Sequence, residues 1–487
     1  MLAIILSLLT VFNYSSNLNH AGDPLISYDS AKRPRQQKDT VRTGKLVNIN
    51  RILITGNRIT RDKIILRELS LKTGDVVHTS DLEVILDKDK KKLLNTRLFN
   101  TVEIRTLELE PSKVDVIVDL NERWYTFPAP IFELADRNFN EWWQNYGHDF
   151  KRINYGLRLY QYNMRGRNET LRFHAQFGFQ RKLEMMYRFP YIDRRQKHGL
   201  SVDAMYSETK NLAYRTLEHK YEFLRSDDIL RLNRGAGLSY SYRNSFYQIH
   251  SLRVDYYHIH VNDTIKSLNP YYMKGEGQDQ KFGSITYGFN SDHRDLISYP
   301  LRGHQVTATI SRHGLLPADN LRKTEGLFIY SQFFELKKKF FLSNNLVGYW
   351  SDPRDLSYVN YGVLGFRRQF VRGYEVYVVE GPYYALNKTT LKKLIFTRKY
   401  HWVSMPIEQF RHMPLSIYLK TYADVGYVKN YSDYEALQIN TTLSDKVLSG
   451  AGLGLDVVGS YDIVLRFEYT FNAEGQSGFF FHIKREF

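Results

Sequence analysis

The feature that most constrains this chain is a long series of segments in which apolar and polar residues alternate. In residues 461–471, one parity carries Tyr461, Leu465 and Phe471, and the other carries Arg466 and Glu468. Successive side chains of a strand point to opposite faces, so each segment predicts a strand with one apolar and one polar face. About sixteen such segments follow one another, which predicts an antiparallel all-β sheet. The predicted strands are residues 153–164, 169–180, 183–189, 199–208, 217–224, 230–243, 247–260, 282–290, 305–311, 327–340, 345–351, 383–397, 415–427, 446–458, 461–471 and 478–487.

Closure of this sheet into a transmembrane barrel accounts for both faces, because the apolar parity then meets lipid and the polar parity lines the lumen. An even strand number is what single-chain bacterial barrels use. The chain is rich in Tyr (37) and Phe (29), poor in Pro (13) and polar on average. The strands of a soluble β-sandwich would also alternate apolar and polar residues. A sandwich would present its polar parity outward, however, and about sixteen strands would need two or more domains.

The charge and the cysteine content of the chain limit the partners it can bind and the kinds of site it can contain. The chain has no cysteine and an excess of sixteen basic residues (68 − 52). The absence of cysteine excludes disulfides, thiolate metal sites, thiol catalysis and a lipidated N-terminal cysteine. The basic residues are scattered, without a nucleic-acid-binding motif, which favours an anionic lipid or glycolipid surface over nucleic acid.

The N-terminal region predicts export. Leu2–Phe12 is an apolar run long enough for a signal-peptide core and too short to span a bilayer. We assign residues 1–22 to a signal peptide, with Ala21-Gly22 as the candidate cleavage region, and residues 23–45 to a polar, flexible linker. A buried N-terminal segment is the alternative.

A small α+β domain is predicted for residues 46–124. The patterns indicate a strand at 48–55, helices at 60–69 and 80–98, and strands at 102–109 and 114–120, an order β-α-α-β-β. Pro128-Ala129-Pro130 is interpreted as the hinge to the barrel, which takes residues 125–487.

One loop and one strand carry the candidate site. Arg372 and Gly373 stand in a segment without periodicity, from Gly365 to Gly381, between two alternating runs. In the strand 415–427, Asp424 shares the polar parity, so it faces the lumen and needs a cation there. A loop folded into the lumen could supply Arg372. A solvated arginine and a solvated aspartate remain the alternative.

These two stretches resemble the signature motifs of the outer-membrane assembly superfamily, which includes BamA-type and TamA-type barrels, surface antigens and two-partner secretion translocators. The stretches are Phe370-Val371-Arg372-Gly373-Tyr374 and Tyr422-Ala423-Asp424-Val425-Gly426. In that family the loop folds into a sixteen-stranded barrel and its arginine pairs with the aspartate. The resemblance implies a loop contact built from Arg372, Gly373, Tyr374, Asp424 and Gly426. Residues 46–124 likewise resemble a single POTRA domain, which in this family is periplasmic and can add a client strand to a sheet edge.

A second stretch is similar to the family's strand-turn-strand signature. It contains Asp292, Arg294, Asp295, Pro300, Arg302 and Gly303. Its charges suggest pairing at a strand end, and two roles remain open: turn chemistry alone, or docking of the loop that carries Arg372.

Two further patterns concern the barrel wall. Gly450, Gly452 and Gly454 share one parity, which would let the backbone of the Arg372 loop lie close against the wall; curvature of the strand is the alternative. Phe479, Phe481, Ile483 and Phe487 share one parity at the C-terminus and resemble the assembly signal of outer-membrane barrels.

The resemblance implies a function, and no catalytic pattern competes with it. There is no Gly-x-Ser-x-Gly, His-Glu-x-x-His or phosphate-binding glycine loop, so we expect neither an enzyme nor a cofactor. We expect a bacterial outer-membrane assembly factor that inserts or translocates client polypeptides by strand pairing where the first barrel strand (153–164) meets the last (478–487). Expected partners are clients, outer-membrane lipids and accessory subunits. The alternatives are a two-partner-secretion translocator and a passive pore; the export-like N-terminus argues against the mitochondrial sorting barrel.

Overall fold

The computed structural model of the protein describes residues 45–134, 150, 153–273, 277–337, 339–354, 356–365, 369–402, 404–405, 409 and 411–484. The predicted signal peptide (1–22) and nearly all of the predicted linker (23–45) lie outside these residues. Among the residues that the structure describes, no helix has the length and apolar content needed to cross a bilayer.

The N-terminal domain has the predicted α+β composition. Its elements are β1 (Leu46–Thr55), α1 (Asp62–Leu66), β2 (Val76–His78), α2 (Thr79–Asn95), β3 (Phe99–Glu110) and β4 (Lys113–Glu122). The sheet order is β2-β1-β4-β3, with β1 parallel to β4, and the short strand β2 was not predicted. Both helices cover one face of the sheet, where Ile49, Ile65 and Leu93 are fully buried.

The rest of the chain forms one antiparallel sheet of sixteen strands, which confirms the predicted fold class. Adjacent strands are also neighbours in sequence, apart from two excursions at one end of the sheet. The remaining strands of the chain are β5 (Thr126–Leu134), β6 (Ile153–Met164), β7 (Glu169–Gly178), β8 (Lys182–Phe189), β9 (His198–Thr209), β10 (Asn211–Leu217), β11 (Lys220–Arg225), β12 (Arg231–Arg243), β13 (Gln248–Val261), β14 (Asp279–Asp292), β15 (Gly303–His313), β16 (Lys323–Glu335), β17 (Phe340–Asp352), β18 (Val363–Gly365), β19 (Val378–Glu380), β20 (Tyr383–His401), β21 (His412–Lys429), β22 (Val447–Val458), β23 (Val464–Asn472) and β24 (Ser477–Lys484).

The total of sixteen is right, but two of its members were predicted wrongly. The first barrel strand is β5, and the segment interpreted as a hinge, Pro128 to Pro130, lies inside it. Residues 217–224 are not a barrel strand, since they belong to the separate hairpin β10–β11. That hairpin alternates like a barrel strand because one of its faces is also buried. Several boundaries also differ. For example, 327–340 runs past the end of β16 at Glu335, β17 begins at Phe340 rather than at residue 345, and β23 begins at Val464 rather than Tyr461.

Side-chain exposure follows the predicted parity. On β21, Leu419 is 45% exposed on the outer surface, whereas Lys420 and Asp424 are 4% and 1% exposed inside. On β23, Tyr469 points outward and Glu468 inward in the same way. The outside of the barrel is therefore an apolar belt and its interior is polar and charged.

The two ends of the barrel differ. Short turns face the N-terminal domain, whereas the far end carries the hairpin β10–β11, the short helices α3 (Asp263–Leu268) and α4 (Ser432–Leu437), and the connection 353–382 between β17 and β20. We call residues 353–382 the lumen loop. It contains a 3₁₀ turn at Tyr358–Asn360 and the ribbon β18–β19.

Candidate functional site

The lumen loop carries Arg372 into the barrel interior. The ribbon β18–β19 forms the base of the excursion, and Gly373 at its tip has φ = +94°, a left-handed conformation that glycine adopts without strain. Arg372 is 7% exposed and Tyr374 is 2% exposed, so the tip is enclosed by the barrel wall.

Arg372 meets Asp424 of β21. Its Nε and Nη2 donate to the two carboxylate oxygens of Asp424 at 2.8 and 2.5 Å, and its backbone N–H donates to Oδ2 at 3.1 Å. Asp424 is held there by inward parity on a strand that pairs on both sides. A bidentate, charge-assisted pair of this kind fixes orientation as well as distance. The loop is therefore fastened to the wall through both its side chain and its backbone.

Two glycines of the wall make room for this approach. A Cβ placed on Gly450 would lie 1.8 Å from the carbonyl oxygen of Arg372, and one on Gly426 would lie 2.6 Å from Cγ2 of Val371. Both contacts are too close for any side chain. Gly450 and Gly426 are thus required for the loop to lie against the wall.

The other two glycines of the predicted trio serve a different purpose. A Cβ at Gly452 would meet the Tyr422 hydroxyl at 2.6 Å, and one at Gly454 would meet Cε of Lys420 at 2.9 Å. The prediction that all three face the loop backbone is therefore wrong for Gly452 and Gly454, because inward side chains of β21 occupy that space.

Tyr422 and Thr390 complete the surroundings of the guanidinium. The guanidinium carbon of Arg372 lies 3.7 Å from the centroid of the Tyr422 ring, and Nη2 donates to Thr390 at 3.0 Å. The carbonyl of Gly373 accepts a hydrogen bond of 2.8 Å from Asn472, and Tyr374 packs with Val371 and Leu364. The planar cation is therefore stacked, paired and hydrogen-bonded at once.

A chain of charges that the sequence analysis missed extends from this pair. Nη1 of Arg372 lies 3.5 Å from Glu468, and Nζ of Lys420 lies 2.7 Å from Glu468 and 2.5 Å from Asp456. Asp456 also accepts a 2.8 Å hydrogen bond from the Tyr299 hydroxyl. The signal was available, because Lys420 shares the inward parity of Asp424, and Glu468 that of Arg466.

Comparison with known proteins identifies the family. Residues 163–487 match the model of the Omp85 superfamily domain, and residues 47–123 match the POTRA model, described as a surface antigen variable number repeat. The chain belongs to the Omp85 superfamily. Its POTRA domain faces the periplasm and its barrel lies in the outer membrane. The lumen loop, the hairpin β10–β11 and α4 are consequently extracellular, and the short turns are periplasmic.

Individual relatives are distant. The chain is 35% identical over 80 residues to the outer membrane protein assembly factor BamA of Nitratidesulfovibrio vulgaris, a match that spans 16% of this chain and 9% of that relative. Among solved structures, CdiB of Escherichia coli has a TM-score of 0.51 at 12% identity, covering 90% of this chain and 76% of that one. BamA of Haemophilus ducreyi lacking POTRA domains 1–3 has a TM-score of 0.49 at 15% identity, covering 89% and 84%.

The outer half of the lumen loop packs against an extracellular cap, which we define as the hairpin β10–β11 and residues 430–446. Glu380, 4% exposed, accepts hydrogen bonds from the hydroxyls of Thr216 and Tyr434 at 2.8 and 2.7 Å. Burial raises the pKa of the Glu380 carboxyl to about 7. At the hairpin tip, the His219 carbonyl accepts from Val378 N–H at 2.8 Å, and burial lowers the pKa of its imidazole to about 4. The lumen loop of this Omp85 protein is therefore fixed at its tip and at its base.

Among the described residues, no hydrogen bond or ion pair joins the strand-turn signature directly to the lumen loop. Arg294 makes a bidentate pair with Asp292, and Asp295 accepts backbone N–H groups of residues 296 and 301. At its edges, Arg302 pairs with Glu335, and Gly303 has φ = +97° next to Pro300 and Leu301. The structure places this turn at the periplasmic end, where the Asn95 side chain contacts the backbone of Asp295 and Ile297. The turn thus contacts POTRA, and its Tyr299 connects it to the lumen loop through Asp456, Lys420 and Glu468.

The POTRA domain is seated on the periplasmic turns. Arg243 pairs with Glu68 through two bonds of 2.7 and 2.8 Å, and Arg123 lies 2.8 Å from Asp462. Although burial would raise it, the pKa of Asp462 is lowered by the hydrogen bond and charge of Arg123. These contacts lie on turns that are far apart in sequence, so they hold the domain across the barrel mouth.

The C-terminal residues lie partly within the described chain. Phe479 and Phe481 are 64% and 49% exposed on the lipid-facing side of β24, and the Phe481 ring lies 5.0 Å from that of Phe467. The side chain of Ile483 and all of Phe487 lie outside the described residues.

Proposed function

We propose that this chain assembles client polypeptides into the outer membrane, without enzymatic activity or a cofactor. The observation that carries the proposal is the combination of an occupied lumen with an unclosed sheet. Arg372 and Asp424 fasten the protein's own loop inside the barrel, while the order of the sixteen-stranded sheet ends at β5 and β24, which share no ladder among the described residues. An occupied lumen disfavours conduction, and free strand edges favour strand addition.

The arrangement of the ends supports this proposal over a passive pore. At one end of the barrel the hairpin β10–β11 and residues 430–446 cover the lumen loop, and at the other end POTRA contacts the turns. A barrel that only conducted solutes would not need its interior filled by a buried ion pair, which is costly to desolvate. The seam between β5 and β24 is then the place where a client can pair.

The name of one relative supports the same class of function. The name of the N. vulgaris relative is outer membrane protein assembly factor, and the match to it is short. We propose nascent outer-membrane barrels as clients, outer-membrane lipids and glycolipid as the surroundings, and periplasmic or lipoprotein subunits as accessory partners. The net charge of +16 fits an anionic lipid surface.

A two-partner-secretion translocator is the second candidate within this class. Proteins of that type usually carry two POTRA domains, whereas the described N-terminal region contains one, residues 46–122. A translocator would need the lumen loop to leave the interior so that an exoprotein can pass. The Arg372–Asp424 contact therefore disfavours translocation through the lumen and favours insertion at the seam.

Depletion of the protein followed by quantification of the outer-membrane proteome tests the proposal. We expect other barrel proteins to fall in the outer membrane and to accumulate unfolded in the periplasm. Expression of the wild type should restore them, Arg372→Ala should restore them poorly, and Arg195→Ala, which changes an exposed periplasmic arginine, should restore them fully. Unchanged barrel proteins with one secreted protein trapped in the periplasm would favour translocation. Unchanged levels of both would refute the proposal.

A further inference from the structure

A cavity lies between the POTRA domain and the inner wall of the barrel, and we call it the periplasmic cavity. Its volume is about 630 Å³, and its lining includes Arg97 of POTRA and Arg188 of the wall. Among the described residues that line it, eight side chains are basic and two are acidic. Positive charges gathered in a confined space repel one another and attract anions. The periplasmic cavity is therefore a candidate site for an anionic ligand.

The two acidic side chains of the lining do not cancel this excess of positive charge. Glu68 pairs with Arg243 at 2.7 Å, and Asp292 pairs with Arg294 at 2.6 Å. Each carboxylate is thus occupied by an arginine that also lines the cavity. Six basic side chains of the described lining remain beyond these two pairs, and they come from both POTRA and the barrel.

One row of hydrogen-bond donors crosses the barrel wall inside the cavity. In the register of the sheet, Arg188 on β8 lies between Thr170 on β7 and Ser201 on β9, and Ser239 on β12 lies opposite Ser201. All four residues line the cavity. Arg188 is exposed there, donates to the Thr170 hydroxyl at 3.4 Å and makes no ion pair with another described residue. A guanidinium has five N–H groups, so Arg188 keeps donors for a ligand.

The hydroxyl of Tyr162 on β6 is a further donor at this cavity. The hydroxyl is buried, and none of the described residues forms a hydrogen bond with it. Tyr162 lines the cavity, where Arg97, Arg172 and Arg188 are all near enough to interact with it electrostatically. A buried polar group without a partner is uncommon in a folded protein and calls for an explanation. An oxyanion beside these three guanidinium groups would accept the hydrogen bond that the hydroxyl can donate.

Arg97 brings positive charge to the cavity from the POTRA side. It stands between α2 and β3 with φ = +61°, a backbone conformation that is uncommon for a residue with a side chain. It shares the carboxylate of Asp462 with Arg123, at distances of 3.7 and 2.8 Å. One carboxylate therefore faces two guanidinium groups, and the POTRA side of the cavity also has an excess of positive charge.

We propose that the periplasmic cavity binds an anion that carries a phosphate group, between Arg188 of the barrel and Arg97 of POTRA, with the Tyr162 hydroxyl as a third donor. A tetrahedral phosphate presents oxygens in several directions, which suits guanidinium groups that approach from two domains, whereas a carboxylate presents two oxygens in one plane. A phospholipid headgroup and a free phosphate compound both supply this chemistry. Either ligand would bridge POTRA and the barrel, and its binding does not depend on the assembly function.

Calorimetric titration of the full-length protein in detergent with pyrophosphate, at constant ionic strength, tests the site. We expect one pyrophosphate per chain. Arg188→Gln should weaken binding about tenfold or more, because it removes a charge-assisted hydrogen bond, and Tyr162→Phe should weaken it about fivefold, through loss of one ordinary hydrogen bond. Arg195→Gln, which changes an exposed arginine of a periplasmic turn, should bind as the wild type does.

Thermal unfolding without pyrophosphate separates a ligand contact from a structural role. Tyr162→Phe keeps the ring that packs against Phe127, at 6.1 Å between centroids, and removes only a hydroxyl without a partner among the described residues. We therefore expect its Tm to equal or exceed that of the wild type while its pyrophosphate affinity falls. A lower Tm together with unchanged affinity would assign Tyr162 to packing alone and overturn its place in the site.

Hydrogen exchange distinguishes the two sources of phosphate. In the wild type, pyrophosphate should slow exchange at residues 92–97, because the ligand bridges POTRA and the wall, and Arg188→Gln should abolish this slowing. The same slowing in nanodiscs of phosphatidylglycerol without pyrophosphate, absent in Arg188→Gln, would identify a lipid headgroup as the ligand. Exchange that phosphatidylglycerol leaves unchanged and pyrophosphate slows would identify a free phosphate compound.

Three results would overturn the inference. The first is no binding of pyrophosphate to the wild type, and the second is equal affinity in the wild type, Arg188→Gln and Tyr162→Phe. The third is tighter binding of a tetraglutamate peptide than of pyrophosphate, which would assign the cavity to acidic polypeptide segments instead.

Discussion

The carboxylate of Asp424 receives three hydrogen bonds from Arg372, two from the guanidinium and one from the backbone N–H. One residue of the lumen loop thus supplies both the charge and the backbone donor that satisfy a carboxylate 1% exposed inside the barrel.

We predict that Arg372→Ala and Asp424→Ala each destabilise the protein by about 3 kcal/mol, the lower end for a broken buried pair, because Glu468 still lies 3.5 Å from Arg372 and Lys388 still lies 3.9 Å from Asp424. The double variant should lose little more than either single variant, since one interaction is removed in all three. Urea unfolding of the detergent-solubilised barrel measures the losses, with Arg195→Ala as the surface control. Additive losses would show that the two residues act independently.

Gly450→Ala should displace the lumen loop. Its Cβ would lie 1.8 Å from the carbonyl of Arg372, whereas a Cβ at Gly348 of β17 would meet nothing within 4 Å. We expect Gly450→Ala to make residues 353–382 more sensitive to protease added from outside, and Gly348→Ala to leave them as protected as in the wild type. Equal protection in both variants would mean that the loop does not depend on this approach.

The contact between the POTRA domain and the periplasmic turns depends on Glu68 and Arg243. Arg243→Ala leaves the Glu68 carboxylate, which is 3% exposed, with the Arg67 guanidinium at 3.3 Å as its remaining cation among the described residues, so the contact should weaken by about 3 kcal/mol. Faster hydrogen exchange in α1 and the turn at 243–248 measures the release. The charge exchange Glu68→Arg with Arg243→Glu should restore slow exchange, and failure of that rescue, in a folded protein, would argue against a direct pair.

The extracellular cap should lose stability as pH rises. The pKa of Glu380 is raised from 4.5 to about 7 by burial, so the folded cap favours the protonated form; its stabilisation is complete below pH 4.5 and is lost as pH rises through 7. The loss amounts to about 3 kcal/mol at most. His219 does not titrate in this interval because its pKa is lowered to about 4. Hydrogen exchange of β10–β11 at pH 5 and pH 8, corrected for intrinsic rates, measures the change, and Glu380→Gln should abolish it.

Alternation predicted the barrel because it reports directly on which side of a strand is buried. It placed Asp424 inside and Leu419 outside without any knowledge of tertiary contacts. It failed for β5, where Pro128 and Pro130 suggest a hinge, although an edge strand tolerates proline on its unpaired side. It also failed for residues 217–224, since a hairpin folded over a lumen buries one face as a barrel strand does.

The sequence analysis predicted fewer contact partners for Arg372 and Asp424 than the structure shows, because sequence patterns describe one strand at a time. Parity placed Asp424 in the lumen and a resemblance between short motifs supported its pairing with Arg372, but neither carries information about neighbours on other strands. Lys420 and Glu468 meet because both lie opposite Gly454 of β22, and that register is set by the pairing of β21, β22 and β23 in the sheet. The parity of each residue was available from the sequence, but the juxtaposition was not.

Tyr299 connects the periplasmic turn that POTRA contacts with the ion pairs that hold the lumen loop. It stands in the turn that Asn95 of POTRA contacts, and its hydroxyl reaches Asp456, from which Lys420 and Glu468 lead to Arg372. Energetic coupling between two sites is reciprocal by thermodynamic necessity. We predict that a ligand that shifts POTRA and breaks the Tyr299–Asp456 hydrogen bond changes the free energy of withdrawing the loop, and that withdrawal of the loop then changes that ligand's affinity by the same factor.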